Sequence, residues 1–216
     1  MHKIKKTFLI LGHPRTGTGY MSKLMISLGF EVGHEWVGKD GLSCWLFAPE
    51  NDNYTNGPRG DISGKTKNNF EFKYIIHMVK NPFNAMSSII NVENNNKNSF
   101  LYRKKHVYIG NGSRLERAIE SFLGWHELIE SQHTDVVIHI ENANNEIKEF
   151  LNSKKIQFNN NYNLPPSNYN TRKHNREYSD ITKDEWLNLP KSLISKLDNF
   201  CKTYNYMSTD KYIKTL

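Results

Sequence analysis

Short apolar runs and longer stretches of helical spacing alternate along this 216-residue chain. Thr7 to Leu11 reads as a buried strand. Tyr20, Met21, Leu24, Met25 and Leu28 then recur at helical spacing, which predicts a helix from about Thr18 to Leu28 with Gly29 closing it. Phe30-Glu31-Val32 is a short second strand that delivers Gly33-His34-Glu35 at its carboxyl end. Phe72 to Val79 is apolar through its centre, as a parallel strand buried on both faces requires. Asn81 is a good N-cap and Pro82 a good first helical residue, so a helix should run from Pro82 to about Asn91. Ser113-Arg114-Leu115-Glu116 is a capping box, and Leu115, Ala118, Ile119, Phe122 and Ile129 follow at helical spacing to an end near Ser131. A strand over Asp135 to Ile140, a helix over Ala143 to Leu151, a second capping box at Thr182-Lys183-Asp184-Glu185 and one or two closing helices to about Tyr204 complete the pattern.

Strands alternating with helices predict an α/β protein: a three-layer, P-loop-like fold with a mostly parallel central sheet of about four to five strands. The length suits a single domain over 1–216. Three segments lack either rhythm. Residues 36–69, rich in Gly, Pro, Asn and aromatics, and 93–112, a polar and mobile stretch, are expected to be irregular; 158–180 is a basic segment rich in Pro and Asn. Ligands collect at the carboxyl ends of such sheets. Three candidates fall there: the turn at Arg15 to Gly19, His34-Glu35, and Lys80-Asn81-Pro82.

Charge narrows the choice of partner. A net charge of +7 favours an anion, but the cations are scattered, and no zinc ligand set, RNA-recognition signature or basic helix is present. A small anionic ligand explains the charge as well, and no nucleic-acid partner is expected. Cys44 and Cys201 are far apart beside aromatic residues and read as buried reduced thiols, which suits a reducing, cytoplasmic setting without a metal. The basic start at Met1 to Lys6 leads into an apolar run too short for a signal peptide, and no stretch is long enough to span a bilayer.

The first strand runs through Gly12-His13-Pro14-Arg15-Thr16-Gly17-Thr18-Gly19-Tyr20 into the first helix, the layout of a phosphate cradle. Gly12 and Gly17 have the spacing of the nucleoside-triphosphate loop G-x-x-x-x-G-K-[ST], but Thr18 and Gly19 stand where Lys and Ser/Thr belong. The cation has moved upstream, to Arg15. Such a loop suits a phosphorylated nucleotide used without magnesium. Two cationic strand ends, at Arg15 and Lys80, suggest two phosphates.

These residues resemble the PAPS-dependent sulfotransferases. Pro14-Arg15-Thr16-Gly17-Thr18-Gly19-Tyr20 is similar to their 5′-phosphosulfate loop. Lys80-Asn81-Pro82 with Ser88 is similar to their 3′-phosphate motif, in which a Ser follows the cation by eight residues. His139-Ile140-Glu141-Asn142-Ala143 and Thr182 to Trp186 are also like the family, so the resemblance spans about the whole chain. Gly19 replaces a common hydroxyl residue, Lys80 the usual Arg, and a C-terminal Gly-rich motif of cytosolic members is missing. Lys80 supplies charge but not a bidentate fork, so weaker PAPS binding is expected.

The resemblance implies a sulfuryl transfer from PAPS to a hydroxyl or amine. Arg15, Thr16, Gly17, Thr18, Gly19 and Tyr20 would bind the phosphosulfate, with Lys80 and Ser88, and the tail cations Arg172 and Arg176, at the 3′-phosphate. Arg15 would also stabilise the leaving phosphate. Glu35 is the first choice for the base that takes the acceptor proton, since some bacterial members place a catalytic Glu in a similar setting, and His34 is the alternative. Carbohydrate, lipid and small alcohol stay open as acceptors, a glycan being favoured by the family. The competing readings are a small P-loop kinase, for small molecules or nucleotides, with a divergent loop, and a non-catalytic nucleotide-binding relative. Trp36, Trp45 and Phe47 fit either an acceptor pocket or the core, and His77 and His139 are expected to be satisfied sheet residues.

Overall fold

The structure, a computed structural model, describes residues 2–50, 67–95, 97–166 and 180–216. The chain forms two compact units, one of Met1–Val79 with Ile129–Arg172 and the other of Lys80–Leu128 with Lys173–Leu216. Five strands lie in the first: β1 (Ile4–Leu11), β2 (Val32–His34), β3 (Gly41–Ser43), β4 (Phe70–Val79) and β5 (Val136–His139). Eight helices lie among the described residues: α1 (Thr18–Ser27), α2 (Pro82–Asn95), α3 (Lys97–His106), α4 (Arg114–Glu130), α5 (Ala143–Ser153), α6 (Lys183–Leu187), α7 (Lys191–Thr203) and α8 (Thr209–Ile213).

The strands pair in the order β2-β3-β1-β4-β5, every pair parallel. This is the α/β, P-loop-like class that the sequence predicts, a parallel sheet flanked by helices. Phe8, Leu9, Ile10 and Leu11 are all fully buried, which explains why the first strand is an unbroken apolar run. On one face Phe8, Ile10, Ile76, Met78 and Ile138 pack against Met21, Leu24 and Met25 of α1 and Ile147, Phe150 and Leu151 of α5. Full burial of each such side chain contributes about 1.5–3 kcal/mol. Gly29 (φ +97°) ends α1: its N–H bonds Ile26 O, and Phe30 N–H bonds Met25 O at 2.9 Å, a pairing that needs the left-handed conformation glycine adopts easily.

In the second unit Asn81 caps α2 as expected, its Oδ1 accepting from Phe83 N–H at 3.1 Å. Phe83 stacks on Tyr212 of α8 with 4.2 Å between ring centroids, and Trp186 of α6 packs on both rings. Phe122 and His126 of α4 pack on Phe200 of α7. Both capping boxes form, Ser113 with Glu116 at α4 and Thr182 with Glu185 at α6.

Two expected irregular segments hold regular structure. Within 36–69, β3 inserts between β1 and β2 and a short 3₁₀ turn follows at Trp45–Phe47. Three residues are too few to show a period, and β3 is recognisable only by the strands it joins. Within 93–112, α2 continues to Asn95 and α3 occupies Lys97–His106. The fully buried position on α3 is Arg103, and Ser99 is buried one turn before it, so the inward side has no apolar stripe to read. No helix among the described residues is long and apolar enough to cross a membrane.

Candidate functional site

The loop after β1, at the centre of the sheet, is shaped by two glycines with no room for a side chain. A Cβ on Gly12 would lie 2.5 Å from Thr16 Oγ1 and 3.0 Å from the Met78 carbonyl oxygen. Gly17 sits at φ +93°, and a Cβ there would lie 2.5 Å from Ile140 Cδ1. Between them the chain turns back on itself: Thr16 donates to His13 O through both its N–H (2.9 Å) and its hydroxyl (2.7 Å). Thr16 and Thr18 are buried and Arg15 is half-buried. The Thr16 hydroxyl thus braces the loop internally.

Gly17 is the N-cap of α1. No side chain caps this helix, and its first turn carries no acidic residue. The partial positive charge of the helix start and the Arg15 guanidinium act with one sign on whatever the loop holds. Gly19 is buried within α1. Tyr20 packs on the core, where burial, and secondarily Tyr162, push its phenol above the usual value, so its ring is placed for packing.

Thr18 ties the loop to the neighbouring strand ends. Its Oγ1 lies 3.4 Å from His34 Nε2 at the end of β2, and its carbonyl accepts from Ser43 Oγ of β3 at 2.8 Å. Ser22, one turn further along α1, donates to Val32 O at 2.7 Å. Glu35 follows His34 directly and takes φ +57°. Its N–H bonds Ser43 O at 3.1 Å, and its Oε1 accepts from Trp45 Nε1 at 2.9 Å. The loop, His34 and Glu35 therefore meet at adjoining strand ends of one unit.

Lys80 follows β4, and Ser88 lies on α2; both are half-buried and belong to the second unit. Arg172 and Arg176 lie outside the described residues. Trp45 and Phe47, at 7 % and 2 % exposure, are buried, so neither offers a face to an acceptor. His77 is buried in β4, where desolvation lowers its pKa to about 4 and keeps it neutral, and His139 Nδ1 lies 3.2 Å from the Glu146 carboxylate, both as sheet residues should. Cys44 and Cys201 are buried and form no disulfide, and burial pushes Cys201 up to about 12, which makes it inert.

Three contributors escape a reading of sequence alone: Ser43, which steadies the Thr18 carbonyl, Ile140, which closes over Gly17, and Trp45 as the donor to Glu35. The aromatic character of Trp45 is visible in the sequence, but its partner depends on where β3 runs. No family model, curated protein or solved structure matches the chain.

Proposed function

We propose that this chain is a sulfotransferase that moves a sulfuryl group from PAPS to the hydroxyl or amine of an acceptor. The carrying observation is the loop itself: a left-handed Gly17 at an uncapped helix start, buried Thr16 and Thr18, and Arg15 in place of the triphosphate-binding lysine. The donor set fits a phosphosulfate. Arg15 can make charge-assisted hydrogen bonds to its oxygens, the backbone N–H groups of Gly17 to Gly19 point along the helix start, and nothing acidic in the first turn opposes an anion.

Sulfuryl transfer, like phosphoryl transfer, needs alignment and charge stabilisation more than covalent chemistry. PAPS supplies an activated sulfuryl group on a phosphate leaving group. Arg15 would hold that phosphate and offset the charge gained as the sulfur–oxygen bond breaks. The acceptor oxygen bonds to sulfur, and Glu35 takes its proton. Glu35 is preferred to His34 because His34 Nε2 lies against Thr18 Oγ1, within the loop's own bracing. Lys80 and Ser88 are assigned to the 3′-phosphate on the sequence motif, and the acceptor carries a hydroxyl or amine, with a glycan favoured.

The test is turnover without magnesium: the purified chain, PAPS and a panel of carbohydrate, lipid and small-alcohol acceptors, with adenosine 3′,5′-bisphosphate measured as product. Bisphosphate formed only when acceptor is present is the expected result. Magnesium-dependent ATP turnover with no use of PAPS would replace this reading with a divergent P-loop kinase.

A further inference from the structure

The geometry points to Trp45 as a positioning residue for Glu35, an inference that rests on Glu35 being the base proposed above. Two independent observations carry it. The first is backbone strain: Glu35, Lys155 and Asn205 are the non-glycine residues with positive φ among the described residues. Lys155 and Asn205 close α5 and α7, where Ile156 N–H bonds Leu151 O at 2.9 Å and Tyr206 N–H bonds Cys201 O at 2.7 Å. Glu35 closes no helix. A costly conformation at a residue that ends no helix is the kind of strain that marks a functional position.

The second is what meets its side chain. An indole N–H can only donate, and Trp45 is 7 % exposed. It takes a Glu35 carboxylate oxygen at 2.9 Å, a charge-assisted bond. The indole is itself fixed. Cys44 N–H bonds Ile10 O at 3.0 Å, Ala48 N–H bonds Trp45 O at 3.1 Å, and Leu46 and Phe47 are buried beside it. Ile10 belongs to β1, the strand that feeds the phosphate loop. One strand therefore sets the loop directly and the carboxylate through Cys44 and Trp45. Trp45 holds Oε1, and Oε2 is the oxygen that takes the acceptor proton. The indole acts through Glu35 and touches no substrate.

The experiment compares wild type, Trp45→Phe, Glu35→Gln and the double variant. Trp45→Phe should lower kcat about 10- to 100-fold, the size expected for losing a hydrogen bond to a charged group. The KM for PAPS and the stabilisation by adenosine 3′,5′-bisphosphate should not change, and the double variant should be no slower than Glu35→Gln. A role in packing alone would reduce nucleotide binding too, and its effect would multiply with that of Glu35→Gln. An independent readout comes from ¹⁵N-labelled tryptophan: the chain has four tryptophans, and the indole resonance missing from Trp45→Phe is that of Trp45. That resonance should move upfield in Glu35→Ala. An unmoved resonance, an unchanged kcat in Trp45→Phe or multiplicative losses would each overturn the proposal. A wild type that turns over no acceptor overturns the sulfotransferase reading instead, and the indole resonance still decides the bond. If Trp45→Phe does not fold, the four indole resonances of wild type and Glu35→Ala are compared directly, and a set in which none moves upfield overturns the proposal.

Discussion

Helices α1 and α6 begin in opposite ways. At α6 the Thr182 side chain accepts from Glu185 N–H and Glu185 bonds back to Thr182 N–H, and Arg114 then grips the Glu185 carboxylate at 2.7 and 2.9 Å. The start of α6 is satisfied by its own chain. At α1 a glycine in the left-handed region stands at the N-cap, no side chain caps it, and no carboxylate lies in the first turn. The same physics thus has two outcomes: an internal oxygen offsets the helix charge at α6, and at α1 that charge is left for the proposed anion.

The largest effect should come from closing that arrangement. Gly17→Ala places a methyl group 2.5 Å from Ile140 Cδ1 at φ +93°. It should lower stability by about 3 kcal/mol, from strain and overpacking together, and abolish stabilisation by adenosine 3′,5′-bisphosphate. Thermal melting with and without the nucleotide reads both. Arg15→Ala removes the loop's cation. Bisphosphate binding should weaken about 10- to 100-fold by calorimetric titration.

At the other helix start the expectation reverses. Thr182→Ala should cost about 1 kcal/mol of stability and leave nucleotide affinity as it was. The carboxylate there adds a pH signature. The Arg114 hydrogen bond, helped by Thr182, lowers Glu185 from the usual 4.5 to about 2. Because the folded-state value is the lower one, its contribution is complete above pH 4.5 and fades as pH falls towards 2. The stability gap between wild type and Glu185→Gln, measured by urea melts, should narrow over that window and stay flat above it. The smallest effect belongs to a left-handed position with no site to serve. Lys155 is exposed at φ +57°, and Lys155→Gly should raise stability by about 0.5 kcal/mol, relief of strain exceeding the entropy of the unfolded glycine.

How much of this was legible in sequence follows from the range of each signal. The capping boxes, the Asn81 cap, the Gly29 terminus and the buried strands β1 and β4 are local patterns, and each appears where it was expected. Strand β3 and helix α3 were not legible. One is too short to show a period, and the other turns a serine and an arginine inward. Arg103 lies 3.7 Å from Glu93 Oε1, and burial lowers the arginine to about 10, so its pairing, not any apolar stripe, accounts for the helix's inner side. The tight loop after β1 was legible because its glycines are close together in sequence. Ser43, Trp45 and Ile140 were not, because each reaches the loop or Glu35 from another strand end.

The most direct test of the loop's proposed ligand is a thermal shift on the wild-type chain without metal, comparing adenosine 3′,5′-bisphosphate, AMP and ATP at equal concentration. A ligand at about a hundred times its dissociation constant adds about 2.7 kcal/mol, several degrees for a chain of this length. A shift with the bisphosphate well above that with AMP or ATP is the expected result. Equal shifts with AMP and the bisphosphate would contradict a site built for two phosphates.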